Sequence, residues 1–391
     1  MTEPYSHLAQ AHAFEPTEGY RYLREQCPVY REDAHDPPFY VLSRFDDVRR
    51  VVKQPDQWGN KHGPGVFFQE TGVLGSADDP DHARHRRVLR DAFVPTAVAR
   101  LQPAAEEMAD ELFDEIVPRG EADFVEAFAF PFPAMVIGEL LGVHREDRED
   151  FRRWSSEVVQ ALTGGSLDDY TRAKTSVEDY IEARLLEREA AGGDLPDDAL
   201  SRMLVAWRDG VLSTAEVRHL GHQLLVAGHE TTTSLLGLML YRLIQRPQLF
   251  GRLRADPTLL DAAIEEALRF DSPVQGLFRT NSQACPMHGE TIPANTKMQV
   301  LYAAANRDPA RFTDPDEFRL DRDLEESRGH LAFGWGIHFC IGAPLARMEA
   351  RVTFRRILDR MHDIELTGPA LRNESFVLHG LTSLPIRWRT G

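Results

Sequence analysis

Cys340 closes the run Phe333-Gly334-Trp335-Gly336-Ile337-His338-Phe339-Cys340-Ile341-Gly342, which leads into Ala343-Pro344-Leu345-Ala346-Arg347. Glycines here permit a tight loop and a close approach of backbone to a ligand. Pro344 suits the first turn of a helix, and an amphipathic pattern follows to about Met361. Cys340 therefore stands just ahead of a helix N-terminus, where free N–H groups and the helix dipole favour the thiolate. One thiolate on a glycine-rich loop suits a single axial bond to a metal in a planar macrocycle. The plainer use of a lone cysteine is an inert buried thiol. A dinucleotide-binding loop fails, because the third glycine of G-x-G-x-x-G falls on Phe339. Zinc would need several ligands at set spacing; His330 and His338 are near, but no C-x-x-C exists.

A second group, Ala227-Gly228-His229-Glu230-Thr231-Thr232, lies within a helical pattern over 213–246. Glycine inside a helix costs ~1 kcal/mol against alanine. One reading is a packing notch where another group approaches. The other is an acid–alcohol pair, Glu230 and Thr231, beside a bound ligand, with Gly228 giving room. A zinc-protease H-E-x-x-H fails, because Thr233 stands at the second histidine. Two spaced pairs add to this: Glu266 with Arg269 at i,i+3, and His82 with Arg86 at i,i+4 on one helix face.

The elements that must position these groups are mostly helical. Helical patterns run over about 81–93, 103–117, 146–162 and 169–190, and 57–79 reads as a long loop. Val29–Arg31 and Phe39–Leu42 flank a turn-rich stretch and predict a hairpin. Ser213 and Glu216 form a capping box for the helix that Pro247 ends. That helix is a rod of ~50 Å, long enough to be central. Small sheets are expected near 29–42, 277–302 and 376–388. The expected fold is mainly α with small β-sheets (α+β), in one domain over 1–391.

Composition narrows the function. The 391 residues hold 45 Lys+Arg against 62 Asp+Glu, a formal charge of −17. Such a chain is a poor partner for nucleic acid or an anionic membrane. Three cysteines, Cys27, Cys285 and Cys340, make no disulfide framework and suit a reducing cytosol. No signal peptide is visible. The uncharged runs at 127–138 and 231–241 fall short of the ~18 residues a membrane span needs. The run Gly329–Ala346 is long enough but carries glycines, histidines, a cysteine and a proline.

The cysteine loop resembles the haem-binding signature of the cytochrome P-450 (haem-thiolate) family, F-G-x-G-x-H-x-C-x-G, at every fixed position. Ala227 to Thr231 is similar to the family's A-G-x-[DE]-T motif, and Glu266 to Arg269 to its E-x-x-R motif. The stretch Ala304 to Asp308, with Phe312 and Pro315, resembles the family's segment before the cysteine loop. The likeness spans nearly the whole chain and implies a haem domain of the soluble bacterial type with a long central helix. It implies haem b, with Cys340 as iron ligand and Phe333, Gly334, Gly342 and Ala227 against the cofactor. His338, His82, Arg86 and Arg279 would meet the haem propionates. Thr231 would hydrogen-bond dioxygen, Glu230 would help relay protons, and Glu266–Arg269 would be a structural ion pair.

The resemblance further implies a dioxygen-dependent monooxygenase in the cytoplasm, without a membrane anchor. Two electrons would come from NAD(P)H through a separate ferredoxin reductase and ferredoxin. Arg84, Arg87, Arg90 and Arg351 are a candidate patch for docking an acidic ferredoxin. Segments 60–75, 158–172, 274–278 and 376–380 would line the substrate pocket. Val66, Phe67, Phe68, Val226, Val274, Leu277, Phe278, Val377 and Leu378 predict a hydrophobic substrate to be hydroxylated or epoxidised. A haem-binding sensor or carrier without turnover and a peroxide-driven peroxygenase are the alternatives. A nucleotide-dependent dehydrogenase is disfavoured, since repeated strand–helix units are missing.

Overall fold

The structure is a computed structural model that describes residues 5–68, 72–147, 150, 153, 154, 157 and 167–390. Most of the helix expected over 146–162 lies outside these residues, as does 158–166 of the expected pocket segment. The chain gathers into two compact units. One holds residues up to 78 with 238–340 and 372–381; the other holds 79–237, 341–371 and 382–391.

The first unit is built on a five-stranded sheet. The predicted hairpin is there: Val29–Glu32 pairs antiparallel with Phe39–Leu42, Val29 opposite Leu42. Phe39–Leu42 then runs parallel to Lys297–Val300, which pairs antiparallel with Leu277–Asn281. Trp58–Gly59 completes the sheet against Thr280 and Asn281, so the segment read as a loop over 57–79 opens with a short strand. Alternate residues of a strand face opposite sides, and each face of this sheet carries its own core. Met298 and Val300 join Leu42, Trp58 and Tyr302. Phe278 joins Phe39, Val66 and Leu301.

The second unit is helical with a three-stranded sheet, Glu121–Asp123, Pro385–Thr390 and Met361–Leu366. Its helices Asp81–Phe93 and Leu167–Ala191 match the patterns expected. The helix expected from 103 begins earlier, at Pro95, and carries Pro103 inside it. The proline at the first turn is the one that costs no intrahelical bond. Phe124, Phe128 and Phe132 stack in sequence, with Phe113 4.3 Å from Phe128. Arg356 of the helix Ala343–Arg360 bonds Asp110 in the Pro95 helix through both Nε and a terminal nitrogen, at 3.0 and 2.9 Å.

The long helix spans Thr214–Ile244. Its capping box is formed: the Ser213 N–H donates to Glu216 at 2.8 Å, and the Glu216 N–H donates to Ser213 Oγ at 3.2 Å. Among the described residues no helix is long and apolar enough to cross a membrane.

Candidate functional site

In the first unit the cysteine loop is folded by its own backbone. The Gly334 N–H donates to the Leu331 carbonyl, and the Cys340 N–H donates to the Phe333 carbonyl, both at 2.9 Å. Gly334 and Gly336 take φ of +67° and +75°, values that favour glycine. A Cβ on Gly336 would stand 2.6 Å from the Val52 carbonyl oxygen. Trp335 lies under the Arg49 guanidinium, 4.9 Å from its ring centre. The loop thus leaves the Cys340 thiol exposed, with Phe339 beside it 38% exposed. Phe333 and His338 are half-buried, and the Phe333 ring meets that of Phe339 at 6.3 Å. The helix Ala343–Arg360 starts where expected, with Gly342 as its N-cap.

Beneath this loop the predicted ion pair is buried, both side chains 0% exposed, with Arg269 Nε 2.8 Å from Glu266 Oε2. Arg269 also donates to the carbonyls of Asn306, Pro315 and Glu317. Asn306 in turn accepts the Leu331 N–H at 2.6 Å. His330 reaches Glu265 at 3.2 Å. The carboxylate helix Leu260–Phe270 therefore fixes the start of the cysteine loop through a short relay. Sequence reasoning missed Arg322, which also bonds Glu266 at 3.0 Å; nothing in its spacing marks it.

Arg279 is 4% exposed, and its guanidinium donates to the Phe278 carbonyl. No carboxylate pairs with it among the described residues. A buried guanidinium calls for an anion, which fits the propionate of a haem. Beside it, Val274 and Leu378 form an isolated bridge and are half-buried, as are Leu277 and Val377. Phe67 and Phe68 are exposed at 63% and 50%. Phe278 is 0% exposed with its ring 5.1 Å from that of Phe39. It belongs to the core and not to a pocket, because it alternates with Leu277 and Arg279 along its strand.

In the second unit the long helix stays regular through its glycine. A Cβ on Gly228 would lie 3.0 Å from Ile137 of the helix Pro131–Leu141. The glycine therefore makes a packing notch for Ile137, a role that stands apart from the acid–alcohol pair of Glu230 and Thr231. His229 is wholly buried and bonds the Phe130 carbonyl at 2.8 Å. Burial pushes its imidazole down to about 4, so it is neutral and donates from Nε2. Its role was missed, although it shares a helix face with the buried Leu225, Thr232 and Leu236. Ala227 is exposed, and Val226, Glu230 and Thr231 are half-exposed, in a helix whose next nine residues, 232–240, are all buried. Thr231 donates to the Ala227 carbonyl at 2.8 Å. The open strip holds small and apolar groups with one hydroxyl and one acid.

His82 is 3% exposed and donates from Nδ1 to Asp79 at 3.1 Å; Arg86 on the same helix is half-buried. Arg84, expected in a docking patch, has its side chain 31% exposed and is held by neighbouring acceptors. It donates to the Val211 carbonyl at 2.7 Å, to Asp81 at 2.7 Å and to Glu216 at 2.5 Å.

The sequence model of the family described as Cytochrome P450 matches residues 154–382. The chain is 37% identical to cytochrome P450 monooxygenase PikC of Streptomyces venezuelae, over 98% of this chain and 94% of that protein. It is 36% identical to cytochrome P450 107B1 of Saccharopolyspora erythraea, with 94% of each covered. The solved structure of cytochrome P450 CYP109Q5 from Chondromyces apiculatus matches with a TM-score of 0.87 at 34% identity, over 98% of this chain and 97% of that one. This chain belongs to the cytochrome P450 family. It is a monooxygenase that carries haem b with a thiolate-bound iron.

Proposed function

We propose that Cys340 supplies the thiolate to the haem iron, and that the whole of 1–391 acts as one haem domain. The observation that carries this is the exposed Cys340 thiol, presented by a loop that spends two positive-φ glycines to hold it. Arg279, His338, His82 and Arg86 bind the haem propionates, and Phe333, Gly334, Gly342 and Ala227 lie against the ring. Bound haem supplies the centre at which dioxygen is reduced by two electrons and one oxygen atom is passed to an organic substrate.

The chain's own residues manage protons and orientation. Thr231 holds a proton at Oγ1 for the dioxygen, and Glu230, half-exposed, replenishes it from water. General acid delivery of this kind is worth about 10²–10⁴ in rate. Phe67, Phe68, Val226, Val274, Leu277, Val377 and Leu378 exclude water and orient a hydrophobic substrate. Electrons arrive from NAD(P)H through a reductase and a ferredoxin, and the setting is cytoplasmic.

The test is turnover with a ferredoxin and its reductase under ¹⁸O₂, using a panel of apolar compounds. Electron consumption that rises with substrate, and one ¹⁸O in a hydroxylated or epoxidised product, is the expected result. Thr231→Ala should cut product per electron by about tenfold or more, and Thr231→Ser should keep most of it. Product oxygen drawn from water, or turnover indifferent to Thr231, would contradict the assignment.

A further inference from the structure

Residues 60–64 of the first unit are fastened at three points. Asp78 accepts the Asn60 and Lys61 N–H groups at 2.6 and 3.2 Å. The Phe278 N–H donates to the Pro64 carbonyl at 2.8 Å. In the middle, the Lys297 ammonium donates to the carbonyls of His62 and Gly63, both at 2.7 Å.

Lys297 opens its strand opposite Thr280. It therefore projects from the sheet face that carries Phe278, not from the face of Arg279. It is 2% exposed, and no carboxylate pairs with it among the described residues. Burying an ammonium without a counter-ion is costly, and burial pushes its pKa down to about 8, with Arg279 adding to the fall. If packing alone mattered, an apolar side chain would serve better. What the charge gains is the grip on two carbonyls and a place 5.1 Å from the Phe68 ring. The His62 ring lies 5.4 Å from the same ring.

We propose that Lys297 is a positioning residue for substrate binding: it clamps the 62–63 backbone beneath Phe68 and so sets Phe67 and Phe68 as an apolar wall for the substrate. This rests on the pocket assignment made under Proposed function.

The test uses the haem-loaded protein with two probes that bind iron, imidazole and 1-dodecylimidazole, each titrated by its Soret shift. Hydrogen exchange over residues 60–68 is measured alongside. Lys297→Met should speed exchange at 60–64 and weaken 1-dodecylimidazole about tenfold, while imidazole changes less than about twofold. Lys297→Arg should restore most of both. Phe68→Ala should weaken the dodecyl probe similarly, and the double variant should lose no more than Phe68→Ala alone. If Phe68→Ala weakens the dodecyl probe and Lys297→Met does not, the role of Lys297 is overturned and the wall stands. If neither variant weakens it, the wall assignment fails and takes the proposal with it. Equal loss of both probes in Lys297→Met would also overturn it, as general damage at the iron.

Discussion

Arg322 donates from Nε to Glu266 Oε2 at 3.0 Å, on the oxygen that Arg269 Nε also reaches at 2.8 Å. One buried carboxylate thus answers two guanidiniums, and all three side chains are 1% exposed or less.

Removing the charge of Glu266 should be severe. Glu266→Gln leaves Arg269 buried without its anion and Arg322 with Glu326 alone, at 3.0 Å, a loss of about 3–5 kcal/mol by the usual cost of breaking a buried pair. Urea unfolding checks it, with haem retention on a desalting column as a second readout. A loss below about 1 kcal/mol would mean that the pair behaves like a surface bridge.

Two glycines of the long helix should respond differently to alanine. A Cβ on Gly221 would press Ile181 at 2.7 Å, while one on Gly228 would meet Ile137 at 3.0 Å. Gly221→Ala should destabilise by about 1–3 kcal/mol through overpacking. Gly228→Ala should lie close to neutral, since the gain of ~1 kcal/mol in helix propensity offsets the milder contact. Thermal unfolding of both, with Ile181→Ala removing the two γ carbons that crowd the first at 2.7 and 2.9 Å, separates the cases.

Acid should destabilise the fold through buried histidines. Burial, with Lys174 and His219 adding, pushes His222 down to about 4, and its buried Nε2 has no hydrogen-bond partner among the described residues. The unfolded chain takes up this proton below the ordinary value of about 6.5, while the folded one does so only near 4. Stability is therefore full above pH 6.5 and falls as pH drops toward 4, by about 3 kcal/mol for such a shift. His222→Phe should flatten that fall without a loss at neutral pH. An unchanged slope of unfolding free energy with pH would count against it.

Arg87 and Arg84 should separate docking from folding. Arg87 is exposed, whereas Arg84 is bound to Asp81 and Glu216. Arg87→Glu should slow reduction by a ferredoxin about three- to tenfold and weaken its salt dependence. Arg84→Gln should lower stability instead. Stopped-flow reduction at several salt concentrations decides the first. An unchanged rate would remove this face as the docking site.

What the sequence revealed was what lies close together along the chain. The cysteine loop, the Ser213–Glu216 cap, the hairpin and the Glu266–Arg269 pair each sit within a dozen or so residues, and all are found. Arg322 reaches Glu266 across 56 positions, and no local spacing encodes that. Phe278 and Leu277 read alike as apolar residues, yet strand alternation buries one in a core and leaves the other half open. Gly228 carried two readings because its packing neighbour, Ile137, lies on another helix. Arg84 looked like one more surface cation until its carboxylates were placed.

The most direct test is the absorption spectrum of the purified protein, reduced and exposed to carbon monoxide, beside that of Cys340→Ser. A strongly red-shifted Soret band in the natural protein and its absence in the variant is the predicted result. A band of the same position in both, or a haem with no such band in the natural protein, would contradict Cys340 as the thiolate ligand.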